Sequence, residues 1–257
     1  MILEIEKRRD DLKIATKYRV WFLPMCAFTA LALFSPVFLQ AESSGPSSSQ
    51  LLPASEHFLY SRTVGDRHDE VEVLTRLQSD KAESWYEISS HASDQDSILR
   101  LDTTTLFATY IEVTSRGKDA TLRRVTTVLE NRTTAKPDEI VLAGFEALPY
   151  SLRAFLWGSR QKATLSFMGS SGGGNFRFDL SVAGTETITV GDRGIECRKL
   201  QLSLSGIIGT FIGKSYLWYS AEYPHFLVRS EGLAGGPGTP KSVLSLLNYS
   251  ISSIPIK

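Results

Sequence analysis

Cysteine is the scarcest reactive residue in this chain: two in 257 residues, Cys26 and Cys197. Cys26 falls in a segment expected to be removed or embedded, which leaves Cys197 alone, so disulfides do not hold the fold together. Histidine is nearly as sparse. His57, His68, His91 and His225 have no helical or hairpin spacing that brings two onto one ion, which argues against a bound metal. Asp94 and Asp96, in a Ser-Asp-Gln-Asp-Ser turn, read as solvated turn residues before they read as a cation site. An excess of one charge is missing too: 28 basic against 28 acidic residues give a formal net charge of +0, so no global field draws the chain to nucleic acid or an anionic membrane.

Catalytic signatures are absent as well. No G-x-S-x-G occurs, and the serines are ordinary loop and strand residues. Gly172-Gly173-Gly174 is not followed by Lys-Ser or Lys-Thr, and in GGPGTPKS at 235–242 Pro240 takes the place of the glycine before Lys241, so neither stretch is a phosphate-binding loop. Neither an enzymatic activity nor a cofactor is expected.

What the chain does have begins at its N-terminus. Lys7, Arg8, Arg9, Lys13, Lys17 and Arg19 precede the uncharged run 20–41, the order of a secretory signal. Residues 1–41 are expected to be a signal peptide cleaved after Ala41. The rival reading is an uncleaved signal anchor, since the run is about as long as the roughly 20 apolar residues that span a bilayer. Met25 before Cys26 is bulky where lipoprotein signals carry a small residue. Either way the folded part lies outside the cytoplasm: periplasmic, or held at the inner membrane through the N-terminal segment if that is kept. Residues 42–55, with ESSGPSSSQ, have too little apolar surface to offset the entropy of ordering and are expected to be a flexible leader. One domain should occupy 56–257.

Within it, short runs of branched and aromatic residues alternate with turn signals such as Gly65-Asp66 and Arg116-Gly117, the pattern of successive hairpins. Phe176, Phe178, Leu180 and Val182 alternate with Arg177, Asp179 and Ser181, and Leu200, Leu202 and Leu204 with polar neighbours, so each sheet has an apolar and a wet side. Two runs in 214–232, KSYLWYSAEYPHFLVRSEG, form a hairpin about Tyr223-Pro224, expected to present an apolar sheet edge. Pro137-Asp138-Glu139 signals a helix start, and the stripe Ile140 or Val141, Phe145, Leu148, Leu152, Phe155 or Leu156 predicts one helical insertion over 137–157, divided at Pro149. The fold class that follows is mainly β: a strongly curved antiparallel sheet, or open half-barrel, of about ten strands, with that helix in or across its concavity.

The hairpin at 214–232, through Trp218, Pro224, Val228, Arg229 and Glu231, resembles a module of the bacterial lipoprotein-carrier (Lol-type) half-barrel proteins and related periplasmic proteins. The resemblance extends over about 56–250 through the signal sequence, the meander and the mid-chain helix. It implies a curved antiparallel sheet around an apolar cavity closed by helices, with lipid-like groups as the ligand class. The chain departs from the family in having one helical insertion where carriers have more.

Aromatic and apolar side chains either line a pocket for such a ligand or pack the core. The candidate ligand-binding set is Phe145, Leu152, Arg153, Phe155, Trp157, Phe176, Phe178 and Trp218, with Arg153 and Arg160 as polar groups at a pocket mouth. On that reading Phe155→Glu empties the pocket without unfolding the chain. The function expected is an exported envelope protein that binds a lipid or other apolar molecule without catalysis. The alternative is an assembly or interaction factor that pairs with an envelope protein partner through its sheet edge.

Overall fold

The structure is a computed structural model that describes residues 51–116, 122–128, 138–156, 160–167, 177–206, 213–233 and 239–252. Among these, thirteen strands form one sheet. They are β1 (Ser55–Val64), β2 (Arg67–Ser79), β3 (Ser84–His91), β4 (Gln95–Asp102), β5 (Ala108–Arg116), β6 (Leu122–Val128), β7 (Glu139–Leu142), β8 (Lys162–Phe167), β9 (Arg177–Val190), β10 (Arg193–Leu204), β11 (Ser215–Ser220), β12 (Leu227–Leu233) and β13 (Lys241–Ser252). The order across the sheet is β6-β5-β4-β3-β2-β1-β13-β12-β11-β10-β9-β8-β7. Every pairing is antiparallel except β7 with β8. The sheet does not close on itself: β6 and β7 are its two ends.

That one parallel pair explains the helix. Parallel neighbours cannot be joined by a hairpin and need a crossover. Here the crossover is a 3-10 turn at Phe145–Ala147 followed by α1 (Leu148–Leu156). The sequence places a helix from 137, and the structure corrects this. Residues 139–142 form β7, because Ile140 and Val141 are β-branched and pair in register with Leu165 and Ser166. Pro149 does not divide the helix either. It is the second residue of α1, in the first turn, where its missing N–H costs no hydrogen bond.

The helix also shows how far the sheet curls. Its Ala147-Tyr150 end packs with Tyr86, Ile88, Leu99, Leu101 and Ile111 from β3, β4 and β5. Leu152, Phe155 and Leu156 pack with Leu165, Leu180, Leu200, Leu217 and Leu227 from β8 through β12. From β4 to β9 there are eight strand spacings, about 38 Å if the sheet were flat. A nine-residue helix is only about 13.5 Å long. One short helix can touch both halves only because the sheet wraps around it, and the result is an open half-barrel with α1 in its trough.

Alternation supplies the trough wall. On β1 Glu56, Phe58 and Tyr60 are buried between half-buried His57 and Leu59, and on β8 Ala163, Leu165 and Phe167 are buried between more exposed neighbours. Each helix side chain sunk into this wall contributes about 1.5–3 kcal/mol relative to exposure.

Two further expectations change. The hairpin 214–232 supplies β11 and β12, which lie inside the sheet between β10 and β13, so it presents no edge. Leu52 is 1% exposed, exchanges hydrogen bonds with the Tyr86 hydroxyl (3.1 and 2.8 Å), and is followed by Ala54, whose carbonyl accepts from Leu77 N–H at 2.8 Å. The packed chain therefore begins before residue 56. The rest of the anticipated leader and the segment 1–41 lie outside the described residues, as do residues 168–176 and 234–238, which the sequence reads as loops.

Candidate functional site

Under the helix lies a buried polar group that links it to the sheet. Arg153, on α1, donates from one terminal nitrogen to both carboxylate oxygens of Glu56 on β1, at 2.7 and 2.9 Å. Their side chains are 2% and 0% exposed. The guanidinium also lies over the Tyr150 and Phe58 rings, 5.0 and 5.9 Å from their centroids. Burial works against the Arg153 charge, but the Glu56 carboxylate outweighs it and raises the pKa. Burial also pushes three neighbouring phenols up: Tyr150 to about 12, and Tyr60 and Tyr219 upward as well. Tyr60 Oη donates to the Leu227 carbonyl at 2.9 Å. Across the trough, Arg198 on β10 donates to the Leu156 carbonyl at 2.9 Å, capping the last turn of α1 with a cation at the negative end of its dipole.

An exposed aromatic side chain lies where β7 hands over to α1. Phe145 is 49% exposed, although its ring stacks on Phe167 at 4.2 Å and meets Phe178 edge-on at 6.3 Å. Phe167 and Phe178 pack edge-to-face at 5.5 Å. The preceding residue, Gly144, brings the chain close to β5. A Cβ on Gly144 would lie 2.7 Å from Glu146 Oε2 and 3.3 Å from Ile111 Cδ1. Ile111 belongs to β5, so this connection spans from the β7 end of the sheet to the β6 end. Beyond Ile111 on the same face, Val113 pairs with Val125, which is 54% exposed. Phe145, Phe167 and Phe178 on one side, with Ile111, Val113 and Val125 on the other, form the rim of the trough where the sheet fails to close.

The residues singled out from the sequence divide accordingly. Phe145 and Phe178 are at this rim. Leu152 and Phe155 are 0% and 5% exposed within the packed core. Arg153 is not a group at a pocket mouth: burial and the Glu56 pair fix it beneath the helix. Arg160 is exposed. Trp157 and Phe176 lie outside the described residues.

Trp218 belongs to the opposite face of the sheet from its neighbours Leu217 and Tyr219, which pack on α1. Its ring lies between Lys199 and Arg229, 4.7 and 5.7 Å from its centroid, and its indole N–H donates to Glu186 at 2.8 Å. It cannot line the trough. The run Tyr216–Tyr219 gave no alternation by which to assign its inward side. Sequence reasoning also passed over Glu56, Tyr150 and Phe167. The signal for Glu56 was present: it shares a strand face with Phe58 and Tyr60, where a carboxylate requires a partner.

The polar end of the structure is self-contained. Arg62 donates to Asp69 at 2.8 and 2.5 Å and to Asp94 at 2.6 Å, and Arg116 pairs with Asp96. Asp94 and Asp96 therefore face arginines, and among the described residues no cluster suited to a metal occurs. A shallow groove of about 600 Å³ bordered by Glu70, Glu72, His91, Asp96 and Arg116 lies beside them. Among the described residues no helix is long and apolar enough to cross a membrane.

No family model and no curated protein sequence matches the chain. Among solved structures it is similar to a β-barrel-like protein of domain of unknown function DUF1849 from Brucella abortus, at 10% identity and TM-score 0.48, covering 80% of this chain and 100% of that one. It is similar also to the hypothetical lipoprotein YmcC from Escherichia coli, at 14% identity and TM-score 0.35, covering 77% and 86%. It is similar as well to a LolA superfamily protein from Nitrosomonas europaea, at 10% identity and TM-score 0.24, covering 79% of this chain and 88% of that one.

Proposed function

We propose that this chain is an exported envelope protein that binds a lipid or other apolar molecule at the open rim of its half-barrel, without catalysing a reaction. The observation that carries the reading is Phe145. A phenylalanine half-exposed at the end of a trough, backed by Phe167 and Phe178, offers a preformed aromatic surface that water solvates poorly. The wall behind it is apolar, and the helix is held in place by the Glu56–Arg153 pair. An acyl chain laid against Phe145 has apolar neighbours on both sides of the rim. The basic and apolar segment 1–41 supports export, and the folded part then meets its ligand in the periplasm.

The test is native mass spectrometry of the exported protein, purified from the periplasm or, if the N-terminal segment is kept, from membranes in a mild detergent, followed by solvent extraction. The reading expects a co-purifying apolar species present at a constant ratio to protein. Protein that emerges empty, and stays empty when incubated with phospholipid, would contradict it.

A further inference from the structure

β6 ends the sheet, and among the described residues its only ladder partner is β5. Its apolar side chains are unusually bare: Leu122, Val125 and Val128 are 67%, 54% and 78% exposed. The register with β5 puts Val125 opposite Val113 on the trough side, and Val128 opposite Tyr110 on the outer side. Such edges are normally blunted by charge, proline or a bulge. Here the charge of Arg124, whose side chain is 66% exposed, is offset by Glu112 on β5, which its guanidinium meets at 2.6 Å.

The strand sequence LRRVTTV is complementary to itself when run antiparallel about Val125. Leu122 then faces Val128, Arg123 faces Thr127, Arg124 faces Thr126, and Val125 faces its own copy. Every apolar residue meets an apolar residue, every arginine meets a threonine, and each pair lies on one face, as the alternation of a ladder demands. Neighbouring registers lose this. Centred on Arg124, the pairing sets two arginines opposite each other and Val125 against Arg123. Centred on Thr126, it leaves Leu122 without a partner in the strand. β7, the other end of the sheet, is only four residues long and offers no comparable ladder.

We propose that two copies of this chain join edge to edge through β6, antiparallel about a two-fold axis at Val125. The two troughs then become parts of one continuous sheet. This is an isologous contact, in which one patch serves both subunits and growth stops at two. It differs from the edge expected at 214–232, and the partner is the chain itself.

Cysteine scanning in the full chain with Cys26→Ser reads both contact and register. Directly opposed residues of an antiparallel pair lie within disulfide reach. Val125→Cys alone should therefore form a covalent dimer on mild oxidation, at least tenfold faster than Leu122→Cys alone or Val128→Cys alone. Mixing the Leu122→Cys and Val128→Cys proteins should restore fast cross-linking between the two. In sedimentation, Val125→Lys should shift the chain towards monomer. The proposal is overturned if Val125→Cys stays uncross-linked, if Leu122→Cys alone links as fast as Val125→Cys, or if Val125→Cys in the envelope is captured by a different protein and not by a second copy.

Discussion

Arg153 and Glu56 are 97 residues apart in the chain and joined by two hydrogen bonds from a single guanidinium nitrogen. Removing one partner leaves the other charged and buried, which costs about 3–5 kcal/mol. Glu56→Ala and Arg153→Ala should each lower stability by that amount. Replacing both by apolar residues of similar volume, as in Glu56→Leu with Arg153→Met, should recover much of the loss, because no stranded charge remains. Urea unfolding of the four proteins measures the difference, and a double variant no better than the worse single would deny the pair its part in holding α1.

Phe155 and Phe145 sit ten residues apart on the β7–β8 crossover with opposite roles. Phe155 is 5% exposed in the core, so Phe155→Glu buries a carboxylate against leucines and should prevent stable folding, contrary to the expectation from the sequence that it would only empty the pocket. Phe145 is half-exposed, and Phe145→Glu should change the urea midpoint little. Circular dichroism and unfolding curves distinguish them.

Acid should loosen the β1–β2 end. The Arg62 hydrogen bonds, with a contribution from Ser93, hold the Asp69 carboxyl down at about 2, from an ordinary value of 3.8. A depressed folded-state pKa means the contribution is complete above the unfolded value and disappears as pH falls through the folded one. Stability that depends on Asp69 is therefore full above about pH 4 and lost between about pH 4 and pH 2. Asp69→Asn should be less stable than the parent at pH 6, and the difference should shrink towards pH 2.

Cys197 is fully buried, and burial pushes its thiol up to about 11. Only thiolate reacts, so in a Cys26→Ser background a water-soluble thiol reagent at pH 8 should label the native chain at least about a hundredfold more slowly than the urea-unfolded chain. Rapid native labelling would mean that the β9–β10–β11 region opens far more readily than its packing implies.

Much of this fold was legible because alternation is local. The strands β9 and β10 follow directly from Phe178-Leu180-Val182 and Leu200-Leu202 against polar neighbours, and the curved, mainly β architecture with one helix followed from them. The helix boundary was not legible, because Ile140 and Val141 fit a 3.6-residue stripe as well as a short strand. Only the parallel partner β8, more than twenty residues on, decides between them.

The site was less readable for the same reason. Whether Trp218 faces the trough depends on the register of β10, β11 and β12, and within Tyr216–Tyr219 nothing polar marks the outer side. Arg153 read as a polar group at a mouth because its partner Glu56 lies 97 residues earlier, at the start of the domain. Phe145 and Phe178 were singled out because aromatic residues are conspicuous in any register.

The proposed function depends most on the rim around Phe145 receiving an apolar ligand. The direct measurement is a fluorescence titration with an environment-sensitive fatty-acid analogue, comparing the parent chain with Phe145→Glu and with Leu247→Glu, an exposed apolar position on β13 away from the rim. Saturable binding that Phe145→Glu weakens at least tenfold and Leu247→Glu leaves unchanged is the predicted result. Binding that is absent in the parent, or that survives Phe145→Glu undiminished, would contradict it.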